Sequence, residues 1–257
     1  MSSGYTDNLP IRTPDFGNPT DALVRKFLRR DQVSAMERGA LETLMEPPRR
    51  VSGGRVLTSL GERPDASTLL ISGICVRMNV LRDGSRSITQ LSLAGDFVDL
   101  HSLLIPQMDH AILTLTDCWV SRAPHARIRS LAERCPHLAR LLWLETVIDG
   151  AIHRQWLHRM ATQDALGRLA HLICETEARL AVVDLVEDDS FDFPLTQVDL
   201  ADCLGLSTVH VNRTLMSLRR LQLVEWRAGR MRLLDRERLQ QLAEFDPTYL
   251  RLDRAPV

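Results

Sequence analysis

The segment QVDLADCLGLSTVHVNRTLMSLRRL, residues 197–221, constrains the fold more than any other stretch, because two helical periodicities meet there across one glycine. Leu200 and Leu204 lie one turn apart, Gly205 follows, and Ser207 opens a second helix running toward Arg220. Ala201 is small enough for the two helices to cross closely, and Gly205 tolerates a left-handed turn. Leu206, Val211 and Leu215 pin the second helix to the first. This order is a helix-turn-helix.

Two helices buried in a bundle would carry apolar side chains at some of Thr208, His210, Asn212 and Arg213, and all four are polar. The N-terminal half of the second helix is the part that enters a major groove, so double-stranded DNA is the expected partner. Arg213 is the foremost candidate base reader, because a guanidinium can donate two hydrogen bonds to guanine O6 and N7, worth about 1–3 kcal/mol of discrimination. Thr208, Val209 and Asn212 share that half of the helix, with Val209 suited to a thymine methyl. Thr196, Gln197, Ser207 and His210 are assigned to the phosphate backbone. The following LQLVEWRAGRMRLLD reads as two strands turning at Ala228-Gly229, a wing that sets Arg227, Arg230 and Arg232 against phosphates. A closing helix over 235–245 is expected to pack rather than bind.

The formal net charge of -1 does not announce a polyanion partner, but only a local patch has to be positive. Over residues 195–234 six arginines (213, 219, 220, 227, 230 and 232) face Asp199, Asp202 and Glu225, leaving that region net positive by three. Lys26 is the sole lysine, a bias that carries no functional weight here. The 257 residues suffice for two ordinary domains with a sizeable core. No apolar run approaches membrane-span length, and MSSGYTDNLPIRTPDFGNPT lacks a basic-then-apolar export pattern, so a cytoplasmic location is expected. Cys75, Cys118, Cys135, Cys174 and Cys203 are scattered singly, which predicts no disulfide framework and no metal site.

The first twenty residues read as a loose arm, and 21–45 as two short helices (Leu23, Phe27, Met36, Leu41, Leu44) ended by Pro47 and Pro48. Residues 51–123 change to short apolar runs punctuated by turn residues, the pattern of an antiparallel sandwich or barrel. A tight hairpin is expected at Asp83-Gly84, flanked by the alternating ICVRMNV and SITQLSL. Residues 136–160 predict one long helix with Pro136 at its start. Its apolar positions, including Leu141, Leu144, Ile148 and Ile152, are wide enough to cover the sheet and pair with a second copy, although Glu145, Gly150 and Gln155 make the heptad imperfect. The alternative is a helix buried within one subunit. A further helix over 163–182 is expected, capped by Thr162, with 160–164 as a hinge and VEDDSFDFP as a solvated acidic connector.

This order resembles the Crp/Fnr family, relatives of the catabolite activator protein, over about residues 20–245. TLLISGICVRM is similar to the family's strand-Gly-strand passage and LAGDFVDL to its Gly-Asp-Phe turn before the ligand cassette. LGRLAHLI resembles the opening of the hinge-proximal helix, and LTQVDLADCLGLSTVHVNRTLMSLRRL the DNA-binding signature. The resemblance implies a transcription regulator acting as a homodimer on a palindromic site, with RNA polymerase as an expected partner. The implied fold is α+β: an N-terminal antiparallel β-roll of the cyclic-nucleotide-binding jelly-roll kind, a long dimerisation helix and a C-terminal winged helix-turn-helix. The expected division is an arm (1–20), a β-roll sensor with flanking helices (21–135), the dimerisation helix (136–160) and the DNA-binding domain (161–250).

Departures from the family bear on the effector. Cyclic-AMP-binding members place a glutamate after the Gly-Asp-Phe turn and an Arg-Ser pair on the return segment, where this chain has Leu100 and His110-Ala111. A cyclic nucleotide is therefore not expected. The cysteine cluster of oxygen-sensing members is missing ahead of Cys75. Haem-binding members use a histidine in this neighbourhood, a role open to His101 or His110, against the commoner structural role of a lone histidine. No cofactor is assigned, only an unidentified small-molecule effector, in a pocket near Met78, Leu100, His101, His110, His153 and Arg154. Arg154 would suit an anion or a salt bridge across the subunits. Two rival readings are a cupin-type enzyme, disfavoured because 51–123 holds no His-x-His with a following glutamate, and a signalling or scaffold module that has lost DNA binding. The polar face of the second helix argues against the latter.

Overall fold

The computed structural model describes residues 17–254, so most of the expected arm lies outside the described residues. Helix α1 (Asp21–Arg30) buries Leu23, Val24 and Phe27, and α2 (Ala35–Leu44) buries Leu41 and Leu44. The second opens on a reciprocal cap in which Ser34 accepts from the Glu37 amide and Glu37 from the Ser34 amide, satisfying two donors that a helix start leaves orphaned.

Seven strands follow: β1 (Arg49–Val51), β2 (Val56–Thr58), β3 (Ala66–Ser72), β4 (Cys75–Val80), β5 (Arg86–Ser92), β6 (Ala111–Thr114) and β7 (Cys118–Pro124). They form two antiparallel sheets, ordered β1-β7-β3 and β2-β6-β4-β5. Leu70, Cys75, Val98, Met108, Ile112, Cys118 and Val120 fill the space between them. Between β3 and β4 the chain turns at Gly73, whose φ is +95° and where an added Cβ would lie 2.5 Å from the Asp117 carbonyl oxygen. Both constraints exclude a larger residue. The β4–β5 hairpin closes through Leu81 and Ser85, with Gly84 at φ +82°, so its loop is one residue longer than a two-residue turn.

Helix α3 (His125–Arg134) leads into α4 (Pro136–Thr162), which runs 27 residues along the roll. Thr162 is the last residue of α4, its hydroxyl donating to the His158 carbonyl oxygen. The cap of α5 (Ala165–Ala181) is instead Asp164, which accepts from the Gly167 amide at 2.8 Å. The acidic stretch is not a solvated connector: Ser190–Asp192 forms β8, paired with β10, and Phe191 and Phe193 are fully buried. Each phenyl ring withdrawn from water contributes about 1.5–3 kcal/mol. The remaining elements are α6 (Gln197–Leu204), α7 (Thr208–Arg220), β9 (Val224–Arg227), β10 (Arg230–Leu233) and α8 (Arg236–Leu242). Helix α8 stops short of the expected end, yet Phe245 still packs against the core.

The roll and the C-terminal unit share one apolar cluster. Ile74, Val76, Met78, Ile88, Leu91 and Leu93 are continuous with Leu169, Leu172 and Ile173 of α5 and with the helix-turn-helix core. A buried ionic chain runs beside it: Lys26 bonds Asp96 at 2.8 Å, and Arg179 of α5 bonds Asp96 at 2.6 Å and Glu175 at 3.2 Å. The two cations hold the Asp96 carboxyl well below the usual range despite its burial. Glu145 of α4 closes the chain by pairing with both Lys26 and Arg30.

Candidate nucleic-acid interface and sensor cleft

Helix α6 starts with Thr196, whose hydroxyl accepts from the Asp199 amide and donates to the Asp199 carboxylate. That hydroxyl is thus committed to capping, which weakens its assignment to phosphate. Gly205 follows at φ 63° and ψ 39°, the left-handed cap expected of the motif. A Cβ there would also fall 2.8 Å from the Met160 side chain at the end of α4, so the turn is closed on the long helix. Ser207 caps α7 by accepting from the His210 amide at 3.2 Å.

Helix α7 divides cleanly. Val211, Thr214, Leu215 and Leu218 are buried, whereas Thr208, Val209, His210, Asn212 and Arg213 are exposed. No hydrogen bond or ion pair among the described residues engages the Arg213 guanidinium. Asn212 donates to Gln197 across the two helices at 3.3 Å, placing both polar groups on one surface. Arg213, His210, Val209 and Ser207 line an open groove beside the start of α5. In the wing, Arg227 lies 2.8 Å from Glu225 and Arg230 lies 3.3 Å from Asp192, both pairs exposed; Arg232 is exposed beside them. Trp226 donates to the Phe193 carbonyl oxygen and Arg219 to the Trp226 carbonyl oxygen, which fixes the wing to α7 and β8.

Sequence reasoning did not find Arg86. From β5 it reaches Asp202 at 2.6 Å and Asp199 at 2.7 Å, so both acids of α6 are neutralised by the roll. No local pattern signals a pairing across more than 110 residues.

The expected effector residues divide between four surroundings. His101, His110 and His153 line one cleft of about 600 Å³ between β4, β5, α4 and the helix-turn-helix, together with Arg77, Asp109 and Asp149. Met78 is sealed in the apolar cluster, and Leu100 lines a neighbouring cavity with Lys26, Asp96 and Glu145. Arg154 faces a different surface, with Val147, Ala151 and Thr248, because adjacent helical residues project about 100° apart. Arg154 therefore lies outside the pocket in which the sequence placed it. Arg77 is held by Asp149 at 2.9 Å, Gln90 at 2.7 Å and the Val98 carbonyl oxygen at 3.2 Å. Burial pushes His101 down to about 4, with the Arg77 charge adding to it.

The expected dimer positions are also redistributed. Leu141 is buried against α1 and α3, while Ile148 and Ile152 pack on Leu250 of the C-terminal turn Pro247–Leu250; Leu144 is half-buried there. The outward apolar residues are instead Trp143, Val147 and Leu157, 70%, 50% and 69% exposed. With Gly150 and the exposed Arg154 they recur at alternating spacings of four and three, the seam of a heptad.

A helix-turn-helix with an exposed polar recognition helix and a wing, joined to a β-roll, defines a DNA-binding transcription regulator. Residues 167–242 match the Crp-like helix-turn-helix domain, and residues 48–135 match the cyclic nucleotide-binding domain. The transcriptional activator protein FnrL of Cereibacter sphaeroides is 27% identical over 176 residues, 67% of this chain and 70% of that protein. The nitrogen fixation regulation protein FixK of Bradyrhizobium diazoefficiens is 27% identical over 215 residues, 82% and 88% of the two chains. The structure of FixK2 from Bradyrhizobium japonicum shares the fold, with a TM-score of 0.69 at 22% identity, covering 76% of this chain and 96% of that one. The chain belongs to the Crp/Fnr family of transcription regulators. No helix among the described residues is long and apolar enough to cross a membrane.

Proposed function

We propose that the protein reads a palindromic DNA site as a homodimer, placing α7 of each copy in successive major grooves. The observation that carries this is the exposed Arg213 on the polar half of α7, which has no partner among the described residues. Arg213 is the principal base reader, with Thr208, Val209 and Asn212 beside it. Gln197, Ser207, His210, Arg227, Arg230 and Arg232 serve the phosphates. Since FnrL is named a transcriptional activator, the reading includes contact with RNA polymerase.

The two copies meet along Trp143, Val147, Gly150, Arg154 and Leu157, where the glycine lets the helices approach closely. The division into arm, sensor, dimerisation helix and DNA-binding domain follows the function of each part, and the 600 Å³ cleft is the effector pocket. Its lining favours an effector other than a cyclic nucleotide, since the arginine that lines it, Arg77, is already committed to Asp149. Band shifts against genomic fragments test the DNA-binding reading. A sequence-specific shift supports it, and its absence at every salt concentration overturns it.

A further inference from the structure

Between β5 and β6 the fold brings His101 beside Asp109 and His110, which lie eight and nine residues further along the chain. One ligand atom each from His101, Asp109 and His110 lies within 4.8 Å of the others. His110 is 7% exposed, and its Nδ1 sits 2.5 Å from the Asp109 carboxylate. Its other nitrogen, Nε2, is buried and has no partner among the described residues, and the same holds for Nε2 of His101. The two rings are 5.1 Å apart. Two orphaned imidazole nitrogens at the wall of one cleft cost free energy as they stand, because a buried polar atom has lost its water.

We infer that this cluster is a binding site for a single divalent transition-metal ion of the zinc or cobalt class, with His101 and His110 as nitrogen ligands. The inference rests on the reading of this cleft as the effector pocket, and it names the effector's chemistry.

Asp109 fixes the tautomer. A carboxylate on Nδ1 holds the proton there and turns the Nε2 lone pair outward, the arrangement by which metal-bound histidines are usually oriented. Burial disfavours the charged form of both imidazoles. A tetrahedral ion with bonds of about 2.1 Å needs donors about 3.4 Å apart, a closure that side-chain rotation supplies. The nearby Arg77 would repel a cation, but Asp149 receives two of its bonds and cancels that charge. His153 lines the same cleft from α4, so an ion here sits between the roll and the long helix.

The full chain, stripped with chelator and titrated with Co²⁺ alone, should develop ligand-field absorption saturating at one equivalent, displaced by Zn²⁺. His101→Ala and His110→Ala should each abolish it while the exposed His158→Ala leaves it intact. Asp109→Asn should weaken binding about 10–100-fold. Circular dichroism confirms that each variant is folded, and the wild-type stoichiometry decides the matter even where one is not. No saturable binding, or unchanged binding in both alanine variants, overturns the site. Stoichiometric haem uptake with Soret absorption lost in the same variants also overturns it, since the pocket would then hold a porphyrin. Anisotropy with a DNA fragment that the protein shifts, measured with and without Zn²⁺, separates the two claims. One bound equivalent with unchanged DNA affinity overturns the effector reading alone.

Discussion

The Arg86 guanidinium on β5 lies 2.7 Å from the Asp199 carboxylate and so ties the β-roll to the first helix of the helix-turn-helix. Asp202 shares the same guanidinium at 2.6 Å. Both contacts are charge-assisted and mostly shielded from water, and each acid would otherwise subtract from the positive surface beside α7. Arg86→Ala should lower stability by about 1–3 kcal/mol, read as a reduced urea midpoint. An unchanged midpoint would mean that the clamp contributes nothing to docking.

Phe193 anchors the wing, fully buried between Phe191 and Trp226 with its carbonyl oxygen accepting from the Trp226 indole. Phe193→Ala should cost about 3–5 kcal/mol by opening a cavity. Calorimetry checks this, and a loss under 1 kcal/mol would show that the acidic segment is not the third strand of the wing.

For the dimer, Val147 and Ile148 make opposite predictions although they are neighbours. Val147→Glu should give a folded monomer by sedimentation equilibrium, because its side chain is half exposed on the seam. Ile148→Glu should lower the melting temperature, because it buries a charge against Leu250. A stable dimer in the Val147 variant would exclude this face.

His171 is buried between Phe245 and Tyr249, and burial, aided by the Arg159 charge, pushes it down to about 4. Its folded value lies below the unfolded value near 6.5, so the native state binds fewer protons there. The resulting stability is present above pH 6.5 and is lost as the pH falls toward 4. His171→Phe should flatten the stability profile within that window; an imidazole resonance titrating near 6.5 in the folded protein would contradict the burial argument.

The recognition unit was legible because its determinants are local: a cap, a left-handed glycine and three apolar positions within twenty residues. The hairpin strands were legible for the same reason. The inward face of α4 was not, because its apolar positions are spread around the helix, and the turn at Pro247–Leu250, a hundred residues on, decides which side is covered. The period-two alternation of Phe191 and Phe193 did signal β8, masked by the surrounding acids. The histidine cluster offered no metal-ligand spacing, since the fold rather than the chain brings His101 beside His110.

The central claim is that Arg213 reads a base. Fluorescence anisotropy on a site mapped from genomic fragments, with single-base variants at each position, tests it against Arg232→Ala as a phosphate-contact control. Arg213→Ala should lose about 1–3 kcal/mol on the native site and cease to discriminate at one guanine position, while Arg232→Ala weakens all sites evenly and lowers the salt slope by about 1. Uniform weakening by Arg213→Ala, with discrimination intact at every position, would contradict the claim.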